Sequence, residues 1–155
     1  MSTSPRATDD PTDGRSRSSL FRSKPTDRLQ RQDEPVDELT GLPERRTLVA
    51  AFEEAVRLAP PGAQVALGLI DLRDFKRINQ MFGRDDGDLV LASVVQRLSN
   101  QLGRTAPLVR LGGDEFAVIT TCTGGLDAVD DLAVLVIEAL RMPFEIRTYT
   151  VHVGV

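Results

Sequence analysis

The sequence contains no tryptophan and only one tyrosine, one histidine and one cysteine. A lone cysteine, Cys122, leaves no internal disulfide framework and no metal-site spacing, and it reads as a small buried hydrophobe. Long apolar runs are missing too. None approaches the ~18 residues that span a bilayer, and the N-terminus lacks an apolar core of signal-peptide length, so a cytoplasmic chain with no membrane segment is expected. Positive charge is also short. Nineteen Lys and Arg against 23 Asp and Glu give a formal charge of −4, whereas general nucleic-acid binders show a basic surface; nucleic acid is not an expected partner. With aromatics at 5%, the 41% of apolar residues must supply a largely aliphatic core, in a chain of one-domain length.

What is present falls into two regions. Residues 1–36 mix Ser, Thr, Pro, Arg and Asp with scattered apolar residues, which cannot bury enough surface to offset their ordering entropy, so a disordered tail is predicted. From Asp37 the pattern changes. "DELTGLPERR" carries turn and helix-start signals at Gly41 and Pro43, and Leu48, Val49, Phe52, Val56 and Ala59 recur at helical spacing until Pro60-Pro61-Gly62. "QVALGLID" (64–71) is a nearly continuous apolar run that predicts a buried strand ending in Asp71. "FKRINQMF" predicts a short helix broken by Gly83, and "RDDGD" a turn. Leu91, Val94, Val95, Leu98 and Leu102 form the stripe of a second long helix. "PLVRL" (107–111) and "FAVITT" predict a hairpin with Asp114 and Glu115 at its tip. Residues 126–141 predict a third helix, and "FEIRTYTVHVGV" reads as strand material up to Val155. No repeat is visible. This order predicts a mixed sheet covered by helices, and a chain that stops in an apolar strand reads as a domain lacking a closing element.

The acids pose a chemical question. If the strands ending at Asp71 and at the hairpin tip are neighbours, their carboxylates converge and repel. The usual remedy is a hard divalent cation such as Mg²⁺, which keeps several waters and is completed by substrate phosphates. Two such ions activate a hydroxyl and stabilise a leaving pyrophosphate. Residues 72–76 then lead into a helix whose first amides suit phosphate oxygens, with Lys76 adding a point charge. Asn79 and Asp88 supply an amide and a carboxylate that suit a base edge, the carboxylate matching guanine's adjacent N–H donors. Taken singly, Lys76 and Asn79 read as surface residues, Asp88 as a helix cap and Gly112-Gly113 as a tight turn. Only together do they point to a site.

These residues resemble the GGDEF domain of bacterial diguanylate cyclases. Gly112-Gly113-Asp114-Glu115-Phe116 reproduces the name-giving motif after Arg110-Leu111. "DELTGLPERR", "IDLRDFKRIN" and "GRDDGD" are similar to the family's opening, metal and phosphate, and guanine segments, in that order, from about Asp37 to Val155. The resemblance implies an α+β fold: a mixed antiparallel sheet with the ferredoxin-like core of nucleotide cyclases and polymerase palms, flanked by helices. It implies that residues 37–155 are a GGDEF domain without its final helix and strand. It also implies two GTP molecules condensed to cyclic di-GMP and two pyrophosphates across a homodimer, with Mg²⁺, or Mn²⁺ in its place. On this resemblance Asp71, the Leu72 carbonyl, Asp114 and Glu115 hold metal. Asp114 is the base for the 3′-hydroxyl, with Glu115 supporting it. Asn79 and Asp88 contact guanine, Lys76 and Phe75 lie in the substrate site, and Gly112 and Gly113 make the turn.

Departures from the family pattern carry the alternatives. Arg73 stands where a second acid is usual, Gln80 where an Asp follows the guanine-contacting Asn, and Arg84 where His is common. The Arg-x-x-Asp feedback site is replaced by Gly103-Arg104-Thr105-Ala106, so product inhibition there is not expected. His152 takes a strand position usually held by serine and has no expected catalytic duty. "EAL" at Glu138–Leu140 falls inside an amphipathic helix and reads as coincidence rather than as a phosphodiesterase motif. The alternatives are a weak or inactive GGDEF module that binds GTP as a regulatory domain, and a fragment of a longer GGDEF or GGDEF/EAL-type protein.

Overall fold

The computed structural model describes residues 35–103, 106–123, 125 and 127–155. The predicted tail up to residue 34, and Arg104 and Thr105 of the feedback-site stretch, lie outside them. One 3₁₀ turn at Arg45–Thr47 leads into helix α1 (Leu48–Leu58). The chain becomes extended at Ala59, where Pro60-Pro61 cannot continue a helix. Strand β1 (Gln64–Asp71), helices α2 (Phe75–Phe82) and α3 (Arg84–Leu102), strands β2 (Leu108–Gly112) and β3 (Glu115–Cys122), helix α4 (Asp127–Arg141) and the short strands β4 (Phe144–Ile146) and β5 (Tyr149–Val151) follow in order.

Strands β1, β3 and β2 form one antiparallel sheet in that order, and β4 and β5 form a separate hairpin. Strand alternation divides the sheet's residues between its faces. Ile70, Leu108, Phe116 and Val118 join Val90, Leu91, Val94 and Leu98 of α3 and Leu140 of α4 in the main core. Burial of each such side chain contributes about 1.5–3 kcal/mol. The opposite face, to which Ala117 and Ile119 alternate, carries α1, which packs on β1 and β3. That cover is partial. No residue of α1 is fully buried, and Val49 and Val56 of its predicted apolar stripe are exposed.

Three predictions need correction. Strand β1 is not a buried central strand: it lies at the edge of its sheet, and only Ile70 on it is buried. "RDDGD" is not a turn but the first turn of α3. Gly83, at φ 91°, makes the break by itself, and Asp85 and Asp86 then suit the positive end of the helix. The C-terminal segment is not one strand but the β4–β5 hairpin, turned at Arg147-Thr148 with Arg147 at φ 51°. Beyond it, Gly154 forms an isolated antiparallel bridge to Arg73. Arg97 ties this end to α3. Its guanidinium donates to the carbonyls of Ala139 (3.2 Å), Met142 (2.5 Å) and Pro143 (2.8 Å), and it lies 3.6 Å from the centre of the Phe144 ring.

Candidate active site

Strand register brings the predicted acids together. Asp71 ends β1 directly opposite Glu115, which starts β3. The amide of Leu72 donates to the Asp114 carbonyl at 3.2 Å. Ladder bonds alternate between residue pairs, so if 72 and 114 are the bonded pair, 71 and 115 are the close, non-bonded pair. Like charges directly opposite destabilise a sheet. Among the described residues, no protein cation forms an ion pair with Asp71, Asp114 or Glu115. The sheet end therefore holds an uncompensated pair of negative charges, with a third acid one residue away.

The turn that carries them depends on two glycines. Gly112 has φ 141° and Gly113 φ 54°, and a Cβ at either would meet nothing within 4 Å. Backbone conformation, rather than crowding, requires glycine there. The register shifts between Arg110 and Gly112, a bulge of the kind that re-aims side chains beside functional sites. Arg110 braces the turn from behind. Its Nη2 donates to the Gly113 carbonyl at 2.9 Å, and its Nη1 to Asp37 Oδ1 at 2.6 Å. Asp37 also accepts from the Thr40 amide (2.8 Å) and hydroxyl (2.6 Å). Burial pushes the Asp37 carboxyl up, but the hydrogen bonds from Thr40 and Arg110 and the guanidinium charge outweigh it and hold the group below its ordinary value. Sequence reasoning missed this brace, because nothing in the spacing of positions 37 and 110 announces a contact.

The segment between β1 and α2 is tight. Asp74 precedes α2 with φ 61°, a left-handed conformation that Asp tolerates better than most residues. The amides predicted to be free for phosphate are mostly taken: within 72–76, that of Leu72 donates to the Asp114 carbonyl, that of Arg73 to the Gly154 carbonyl at 2.9 Å and that of Phe75 to the Leu72 carbonyl at 3.4 Å, and those of Arg77 and Ile78 both donate to the Asp74 carbonyl. Lys76 is exposed in the first turn of α2, a position where the helix dipole disfavours a cation and favours an anion. Arg73 is exposed, and its side-chain stem packs on Gly154.

Asn79 and Asp88 come from two helices that touch. A Cβ added at Gly87 would lie 1.8 Å from Asn79 Oδ1 and 3.5 Å from Phe75 Cζ. Gly87 is therefore what lets the Asn79 amide lie against α3, one residue from the exposed Asp88. Phe75 itself is a core residue, 6% exposed, and forms the floor beneath Gly87 rather than an open surface. Gly87 was not singled out from sequence. Its constraint comes from a neighbouring helix, which composition does not reveal.

Among the described residues no group of three or more His, Cys, Asp or Glu is gathered closely enough to hold a metal unaided. Mg²⁺ does not require such a cage, because one or two carboxylates, waters and substrate phosphates suffice. The carboxylates of Asp71 and Glu115, with Asp114 beside them, are hard oxygen donors of the kind that fits such an ion.

A helix-covered antiparallel sheet with strand-end carboxylates, flanked by a helix pair carrying an amide and an acid, is the palm architecture of nucleotide cyclases. The sequence profile described as "Diguanylate cyclase, GGDEF domain" matches residues 35–155, and the chain belongs to that family. It is 39% identical over 95 residues to the diguanylate cyclase DgcP of Pseudomonas aeruginosa, covering 61% of this chain and 14% of that protein. It is 36% identical over 119 residues to the response regulator PleD of Caulobacter vibrioides, covering 76% of this chain and 25% of that one. The crystal structure of a sensory box/GGDEF family protein from Caulobacter crescentus superposes with a TM-score of 0.68 at 33% identity, covering 77% of this chain and 78% of that one. The chain thus spans a quarter or less of these curated relatives. No helix among the described residues is long and apolar enough to cross a membrane.

Proposed function

We propose that this domain condenses two molecules of GTP into cyclic di-GMP, releasing two pyrophosphates, in an antiparallel pair of copies that each hold one GTP. The observation that carries the reading is the register of β1 and β3, which sets Asp71 against Glu115 with no ion-pair partner for either among the described residues. Asp71, the Leu72 carbonyl and Asp114 would hold Mg²⁺, with Glu115 in support. The ion, when bound, neutralises the triphosphate and the pyrophosphate that leaves. Asn79 and Asp88 hold the guanine edge, and Lys76 faces the phosphates. Asp114 takes the proton of the 3′-hydroxyl as that oxygen bonds to the partner's α-phosphorus and the bond from α-phosphorus to the bridging oxygen breaks. Arg110 keeps the turn that bears Asp114 in place through the Gly113 carbonyl.

A second reading, a GTP-binding module without turnover, draws on Arg73, a cation where the family usually places a second acid. Incubation of the chain with GTP and Mg²⁺ separates the two. The cyclase reading expects the cyclic dinucleotide and pyrophosphate in a 1:2 ratio, both lost in Asp114→Ala. GTP binding with no product supports the second reading, and absence of GTP binding rejects both.

A further inference from the structure

Asp86 is the one charged side chain buried among the described residues. It sits in the first turn of α3, beside Gly87 and two residues before Asp88. Burying a carboxylate is costly unless it is paired. Its partner is Arg147, whose Nε lies 3.0 Å from Asp86 Oδ1; that oxygen has no aligned hydrogen bond, so the contact is one of charge. Arg147 is a non-glycine residue at φ 51° in the β4–β5 turn, a left-handed conformation that strains an L-residue with a Cβ. The hairpin makes a second contact across the α2–α3 junction. Tyr149 packs on Phe82, the last residue of α2, with ring centroids 4.9 Å apart and planes at 42°. Its first strand is fixed to the middle of α3 by Arg97 on Phe144.

The hairpin therefore grips both sides of the Gly83 break, through Phe82 on one helix and Asp86 on the other. Asn79 stands three residues before Phe82 on α2 and Asp88 two residues after Asp86 on α3, so each contact falls within one helical turn of a predicted base contact. We infer that the β4–β5 hairpin is a brace for the nucleobase subsite and that Arg147 is a positioning residue for base selectivity, acting through Asp86. The inference rests on the reading of Asn79 and Asp88 as guanine contacts. It explains why an arginine occupies a turn position that glycine would fill without strain: the guanidinium is needed on Asp86.

The test uses Arg147→Gly, which suits the left-handed turn and keeps the hairpin, and Arg147→Lys, which returns a cation. Equilibrium affinities of the full chain for GTP and for ATP are measured at a temperature where all variants are folded. Arg147→Gly is expected to weaken GTP binding ~5-fold, as befits a partly exposed ion pair, and to leave ATP binding unchanged, with Arg147→Lys intermediate. Equal weakening of both nucleotides would mark general loosening and overturn the inference, as would an unchanged GTP affinity. A chain that binds no GTP, or binds it no better than ATP, sinks the guanine reading and this inference together. A chain that prefers GTP by the same factor whatever stands at 147 sinks the inference alone.

Discussion

A methyl group at position 87 would fall 1.8 Å from Asn79 Oδ1, so Gly87→Ala must move the amide. The end of a side chain yields easily, and alanine is favoured over glycine in a helix by roughly 0.5–1 kcal/mol. The expected outcome is a thermal midpoint little changed and a GTP-over-ATP preference reduced ~10-fold, because a polar site that loses its aligned partner discriminates poorly. A large fall in stability with selectivity intact would show that Gly87 serves packing alone. At this scale the sequence was legible where charge broke an apolar pattern: Asp71 closing "QVALGLID", and Asp114 and Glu115 between two strands. It was silent where a residue's role depends on one far along the chain. Gly87 answers to Asn79, Arg110 to Asp37, and Asp86 to Arg147, and no local periodicity encodes those meetings.

Elements were legible to the extent that one apolar period governed them. Helix α3 is held by Val90, Leu91, Val94, Val95, Leu98 and Leu102, and that stripe overrode the turn-like composition of "RDDGD". The β4–β5 turn escaped notice because Arg147 and Thr148 are not turn formers. The segment before α1 offers a sharper test, since its geometry depends on one titrating group. Asp37 is held below its ordinary value of 3.8. A depressed carboxyl contributes stability that is fully present above that ordinary value and lost as pH falls through the lower folded-state value. Asp37→Asn is therefore expected to cost about 1.5–3 kcal/mol at pH 7, the range for hydrogen bonds to a charged group. The gap from the unaltered chain should narrow below about pH 4. Denaturant unfolding of both proteins between pH 7 and pH 3 measures it. A gap independent of pH would mean that the charge on Asp37 contributes nothing to the brace.

At the scale of the molecule, the sheet serves two purposes on two faces, and the motif itself shows the division. Glu115 stands on the face of Asp71, exposed, while the next residue, Phe116, is fully buried in the main core with Ile70 and Val118. Alternation along β3 thus anchors the acid-bearing end of the strand with one residue and presents a carboxylate with its neighbour. The face of Asp71 is also the poorly covered one. β1 is an edge strand of this sheet, and on it Leu67 is 45% and Leu69 72% exposed. Substitution should therefore be asymmetric between faces. Phe116→Ala is expected to cost 3–5 kcal/mol, roughly the usual loss for a buried phenylalanine, while Leu69→Ser should stay within about 0.5 kcal/mol, as surface changes do. Urea midpoints of the two variants at equal protein concentration decide it. Comparable losses would mean that Leu69 is covered in solution, so that the face carrying Asp71 and Glu115 is closed by further contacts. Loss confined to Phe116 would mean that the face bearing Asp71 and Glu115 is open at Leu69 and that the stability of this domain resides on the Phe116 side of the sheet.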